Sequence, residues 1–134
     1  MCLSIEVNRP DSILAKGTHA GIEWIVTHND IGHRCGYARI PKGHPWHGKQ
    51  YDEIEVDVHG GLTFAEADVP CDKGGADNAY WVGFDCAHYG DASDPTLPGR
   101  PLPDILGIHG VVRTQGYVEK ECRALCDQIA AAAA

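Results

Sequence analysis

The sequence predicts an α+β fold: a mostly antiparallel β-sheet with long loops, covered on one face by one C-terminal amphipathic helix. Three observations predict it. Short runs rich in Ile, Val and aromatic residues recur along the chain, punctuated by Gly and Pro. Residues 53–59 alternate strictly between polar and apolar, the period of a half-buried strand. Val118, Cys122, Leu125 and Ile129 fall at i, i+4, i+7 and i+11, which makes one stripe of a helix.

The 134 residues suit a single domain, 1–134, with sheet and loops over 1–113 and the helix over 114–132. In chain order, residues 2–7 and 22–27 read as strands, and 34–40 as a third. Residues 41–50, PKGHPWHGKQ, hold two Pro and two Gly and must form a loop. In 53–59, Ile54, Val56 and Val58 point one way, and Glu53, Glu55, Asp57 and His59 the other. Gly60-Gly61 then fits a two-residue hairpin turn, with 62–66 as the return strand. Residues 69–78 are polar and form a loop. Residues 80–87 form a strand with Tyr80, Val82, Phe84 and Cys86 facing the core and Trp81, Gly83 and Asp85 facing away. Residues 88–104 are a long irregular segment, and loops that long in a small domain often carry function. Thr114 is positioned to cap the final helix, and residues 130–134 are expected to fray.

Charge narrows the partners. A net charge of −8 argues against wrapping long nucleic acid. The charge is uneven, however. Residues 31–51 contain Arg34, Arg39, Lys42, Lys49, His33, His44 and His47 and no acid, whereas 52–91 contain ten acids and Lys73. Either neighbouring strands pair their charges, or one basic segment forms a local anion site on a protein whose overall field repels polyanions. No apolar run approaches the roughly 18 residues of a membrane span. The start, MCLSIEVNRP, lacks the basic and long apolar regions of a secretory signal, so a cytoplasmic protein is expected. Six cysteines, at 2, 35, 71, 86, 122 and 126, include no C-x-x-C pair, and all six are expected as reduced thiols.

Chemistry concentrates in three segments: GHPWHGKQYD from Gly43 to Asp52, HGGLT from His59 to Thr63, and GFDCAHYGD from Gly83 to Asp91. Their order resembles a group of small bacteriophage-encoded proteins that pair a GHP…G…YD loop, an HGG-[LI]-T hairpin and a G-[FW]-D-x-x-H-x-x-D strand end. The resemblance spans roughly residues 36–128 and implies a phage origin, and with it the cytoplasm of an infected bacterium; no activity comes with it. In that group the position of Cys86 is often aromatic, which argues against this thiol as a ligand.

Two classes of function fit these residues. In the first, the protein binds and sequesters a small anionic, nucleotide-derived host molecule, by analogy with phage proteins that counter host defence. Trp46, Tyr51 and Trp81 would stack on a base. His44, His47, Lys42, Lys49 and Arg39 would meet phosphate. Asp52 and Asp85 would accept hydrogen bonds from the ligand. His59, Gly60, Gly61, Thr63 and His88 would complete the site, the glycines allowing close approach. The blander alternative is that Trp46 and Trp81 fill the core and that the glycines only turn the chain. In the second class, His59, Asp85, His88 and Asp91 hold Zn²⁺ or Mn²⁺ in a small hydrolase acting on a phosphorylated or nucleotide substrate. No P-loop or G-x-G-x-x-G motif supports ATP or NAD binding. Both readings place His59, Asp85 and His88 in one cleft near Gly60-Gly61, with the loop 42–52 folded over it. So shallow a site in a small chain suggests a homo-oligomer.

Overall fold

A computed structural model describes residues 2–70, 79–88, 90–99 and 110–133. The helix α1 (Ser4–Asn8) leads into strands β1 (Ile13–His19), β2 (Ile22–His28) and β3 (Arg34–Ile40). After a long connection come β4 (Phe64–Ala67) and β5 (Tyr80–Asp85), then the short strands β6 (Asp91–Ala92) and β7 (Val111–Val112), and finally α2 (Gln115–Ala132). The first five strands form one antiparallel sheet in the order β1-β2-β3-β5-β4, and β6 pairs with β7 in parallel. The α+β architecture expected from the sequence is the one observed. Among the described residues no helix is long and apolar enough to cross a membrane.

The main core lies between the sheet and α2. Val26, Ala38, Ile40, Val82, Phe84 and Cys86 meet Val118, Cys122, Leu125, Cys126 and Ile129, all nearly or completely buried. Thr114 caps the helix, its hydroxyl accepting the Tyr117 amide at 3.3 Å. The sheet can be approached this closely because β3 presents Gly36. A Cβ there would lie 2.5 Å from the Phe84 ring and 2.7 Å from Cys122 Sγ. The opposite face of the sheet is not left to solvent. Leu3, Ile25, Tyr37 and Trp81 form a second buried cluster, with Ile5, Ile13 and Phe64 packed against it.

Several expectations need correction. Residues 2–7 do not form a strand. Cys2 makes an isolated bridge to Val69, and Ser4 begins a helix whose first free amide, that of Leu3, donates to the Glu6 carboxylate at 3.1 Å. β1 carries no strong strand signal. Its hairpin to β2 turns at Ala20 and Gly21, with φ of 53° and 77°, and Ala-Gly lacks the Asn or Asp that advertises such a turn.

Residues 53–59 bury the predicted face, with Ile54 and Val58 buried and Val56 packed against the main core, yet they pair with no strand. Gln128 of α2 takes the place of a neighbour: its side chain accepts the Asp57 amide at 2.7 Å and donates to the Asp57 carbonyl at 2.9 Å. Gly60-Gly61 is therefore not a hairpin turn between paired strands, and β4 starts at Phe64, not at residue 62. β5 stops at Asp85, and α2 stays helical through Ala132. The expectations for Cys71 and for residues 72–78, 89, 100–104 and 134 lie outside the described residues.

The cysteines divide. Cys35, Cys86, Cys122 and Cys126 are free thiols, three of them buried. Cys2 is disulfide-bonded, so the expectation of six reduced thiols is wrong; its partner lies outside the described residues. The helical pair Cys122 and Cys126 packs in the main core as small apolar residues. Burial pushes the Cys86 and Cys126 thiols up to about 12 and Cys35 up to about 11, and at neutral pH such thiols are protonated and unreactive.

Candidate metal centre

The site sits where β5 ends, beside the first turn of α2. Asp85 is the last residue of β5 and His88 follows past its exit. A tight turn then returns the chain: the Asp91 amide donates to the His88 carbonyl at 2.9 Å, and the His88 amide donates to Asp91 Oδ2 at 3.0 Å. Gly90, at φ 94°, makes the turn possible. His59 enters from the turn that Gly61 closes on Val58, at 3.0 Å. Gly60 has φ 69°, and a Cβ on it would clash with the His88 ring, 2.6 Å from both ring nitrogens, so the turn and the imidazole are in contact only because Gly60 has no side chain.

His59 is held at both ring nitrogens. Nδ1 lies 2.8 Å from the Tyr117 hydroxyl and Nε2 lies 2.8 Å from Asp91 Oδ2. The His59 and His88 ring centroids are 5.6 Å apart. Asp91 is the hub, with a side chain only 1% exposed. Its Oδ2 faces the two histidines and its Oδ1 accepts the Arg113 Nε–H at 2.7 Å. Burial by itself would raise the Asp91 carboxyl. Hydrogen bonds from Arg113, His59 and the His88 amide outweigh it and bring the pKa down to about 2, so Asp91 is ionised at neutral pH. Arg113 also lies over the Tyr117 ring, 5.2 Å from its centroid. Burial, and then the charge of Glu121, raise the Tyr117 hydroxyl, which stays protonated as a hydrogen-bond donor. Asp85 closes the other side, Oδ2 accepting from Thr63 Oγ1 at 3.1 Å and Oδ1 accepting the Ala87 amide at 3.0 Å.

One atom in this network is not accounted for. His88 Nδ1 is buried and has no hydrogen-bond partner among the described residues. It lies 3.5 Å from Asp91 Oδ2 and 3.6 Å from Asp85 Oδ1, too far for a hydrogen bond to either. One ligand atom each from His59, His88 and Asp91 lie within 4.8 Å of one another. Ligands at about 2.0–2.2 Å from one Zn²⁺ lie roughly 3–4 Å apart, so small side-chain shifts bring this set to a common ion. Tyr117 holds His59 in either state: while Nε2–H donates to Asp91 the hydroxyl donates to Nδ1, and were Nε2 to take an ion, Nδ1 would carry the proton and the same hydroxyl oxygen would accept it.

The structure brings together His59, Gly60, Thr63, Asp85, His88 and Asp91 of the residues singled out from the sequence. Gly61, at φ 79°, lines no part of the ring contact. The loop 42–52 does not fold over the centre. It leaves β3 at the Tyr80 end of β5, where the Tyr80 hydroxyl donates to the Lys49 carbonyl at 2.8 Å and His47 lies against the Tyr80 ring. His44 fixes the loop to the far end of α2, its Nε2 lying 2.7 Å from the Ile129 carbonyl. Tyr117 and Ile129 are separated by about 18 Å of helix at 1.5 Å per residue. Through His44 and Lys49, the loop that carries Trp46, Tyr51 and Asp52 is thus docked away from His59, towards the far end of α2.

Trp46 packs partly buried against the main core, while Tyr51 is exposed. Trp81 faces away from α2 as expected, but α1 and its flanks cover that face. The indole is 2% exposed and its N–H donates to buried Asp68. Two residues of the centre, Tyr117 and Arg113, were not among the sequence candidates. Tyr117 precedes the helical stripe by one position and Arg113 precedes the N-cap, and neither position has a local signature. No family model matches this chain, and no curated protein or solved structure matches it significantly.

Proposed function

We propose that the protein is a small metal-assisted hydrolase that acts on a phosphorylated or nucleotide substrate, with His59, His88 and Asp91 as ligands to Zn²⁺ or Mn²⁺ and Asp85 within reach. The observation that carries the reading is the orphaned His88 Nδ1. The network of Arg113, Asp91, His59 and Tyr117 pairs both ring nitrogens of His59 and both oxygens of Asp91. His88 Nδ1 instead faces two carboxylates at 3.5 and 3.6 Å, contacts that a protonated ring would make as ion pairs and that a neutral ring would offer to a cation shared with those carboxylates. The formal charge agrees: Asp85 and Asp91 against Arg113 leave the cluster negative when both histidines are neutral, which favours a cation over a bare anion.

The position of the basic loop bears on the alternative. Sequestering a nucleotide at His59 by Lys42 and Lys49 would need those charges at this end of β5, whereas the loop is docked at the other. An ion on the His-His-Asp set supplies the positive charge locally instead, and polarises water for attack at phosphorus. The phage resemblance fits an enzyme working in an infected bacterium. The cysteines lend no support to a reducing compartment, since Cys2 is bonded.

Zinc titration followed calorimetrically, with native mass spectrometry, tests the reading. One ion per chain is expected in the wild type, with affinity at least ten-fold weaker in His88→Ala and lost in chelator. A panel of phosphate monoesters and nucleotides then separates the two activities: product that disappears with chelator marks a hydrolase, whereas ligand returned intact marks a binder. Absence of any ion on the wild-type protein would sink the metal reading.

A further inference from the structure

We infer that Arg113 is the phosphate anchor of this centre, so that its substrate carries a terminal phosphoryl group that bridges the guanidinium and the metal. The inference rests on the metal reading above and adds the chemical class the site selects. Asp91 divides its two oxygens between two cations. Oδ2 faces His59 and His88, and Oδ1 takes Arg113 Nε at 2.7 Å. One rigid, buried carboxylate therefore fixes the guanidinium beside the metal position.

The rest of Arg113 is held as well. Its carbonyl accepts from Arg34 Nη1 at 3.0 Å, and Arg34, itself buried, is fixed by Asp94 at 2.8 Å. The Arg113 guanidinium lies over the Tyr117 ring. With Nε committed, no described residue accepts a hydrogen bond from Nη1 or Nη2, and the side chain is 26% exposed. A half-used arginine fork, oriented and open to solvent, matches the oxygens of a phosphoryl group. A terminal phosphoryl has oxygens enough to meet the ion and the two Nη groups together; a phosphodiester has only two free oxygens and would meet them less completely. The reaction is hydrolysis: water adds to phosphorus, the P–O bond to the leaving group breaks, and the leaving oxygen takes the proton that water loses. No other co-reactant is needed.

The test separates anchor from metal. Zinc-loaded wild type is titrated with phenylphosphonate, a mimic of a phosphate monoester that cannot be hydrolysed. Arg113→Gln, whose side-chain amide can still donate to Asp91 Oδ1, is compared with wild type at zinc saturation, each at its own measured zinc affinity, and should bind phenylphosphonate at least ten-fold more weakly. Equal phosphonate affinity in a variant that still binds zinc overturns the anchor alone. Failure of the wild type to bind zinc overturns the metal reading and the anchor with it. Should Arg113→Gln not fold, the wild type supplies the answer: zinc plus phenylphosphonate should slow phenylglyoxal modification of Arg113, read by peptide mass spectrometry, at least five-fold relative to zinc alone. Unchanged modification overturns the proposal.

Discussion

Gly60 and Gly61 are neighbours with the same left-handed backbone, yet they do different jobs. Gly60 leaves room for the His88 ring, whereas nothing lies within 4 Å of a Cβ on Gly61. Gly60→Ala should therefore displace His88 and weaken zinc at least ten-fold. Gly61→Ala should cost about 1–2 kcal/mol of stability through its positive φ and leave zinc affinity within two-fold. Calorimetry with zinc, alongside urea unfolding, distinguishes the two. The HGG motif marked this turn in the sequence, but it could not say which glycine mattered, because that depends on a ring 28 positions later in the chain. Trp81 shows the opposite limit. Alternation placed it correctly on the face away from α2, and only tertiary structure reveals that α1 covers that face. Tyr117 and Arg113 were hidden for a third reason: each earns its role from a contact across the fold, and nothing in their own neighbours foretells it.

The sheet and its helix illustrate what periodicity does and does not determine. The apolar stripe of α2 was legible because four turns of helix repeat it, and Val118, Cys122, Leu125 and Ile129 are all fully buried. Leu125→Ala should cost about 2–5 kcal/mol in urea unfolding, from lost apolar burial and the cavity left behind. In residues 53–59 the period reported burial and nothing more. Alternation tells which face turns inward, but the backbone amide of Asp57 was free to find a partner in the Gln128 side chain instead of a strand. β1 was missed for lack of a turn signature, since its strength comes from pairing with β2 at six of its seven residues and not from its own composition. The loop 42–52 was correctly read as a loop. Its position was not legible, because contacts across the fold decide where it docks: His44 on the Ile129 carbonyl, and Lys49 and His47 on Tyr80.

Across the whole molecule, the cysteines give a direct check on how the chain is closed. Alkylation after unfolding without reductant should label Cys35, Cys86, Cys122 and Cys126 and leave Cys2 unlabelled until reductant is added. Labelling of Cys2 in the unreduced protein would contradict the disulfide. Cys2 also bridges Val69, just past the end of β4, through paired backbone bonds of 2.9 and 2.8 Å, so the N-terminal segment is held there by backbone pairing as well. The candidate centre draws on parts of the chain that are far apart: the turn at His59, the exit of β5, the start of β6 and the first turn of α2. Docking α2 and assembling the centre are thus thermodynamically one event. An ion that binds only the assembled set must stabilise the helix's attachment to the sheet by the same free energy with which it binds, about 2.7 kcal/mol at a free concentration one hundred times its dissociation constant. If the centre holds an ion as proposed, scarcity of that ion would remove the chemistry and weaken the attachment of α2 together, making metal supply a determinant of how long the protein survives.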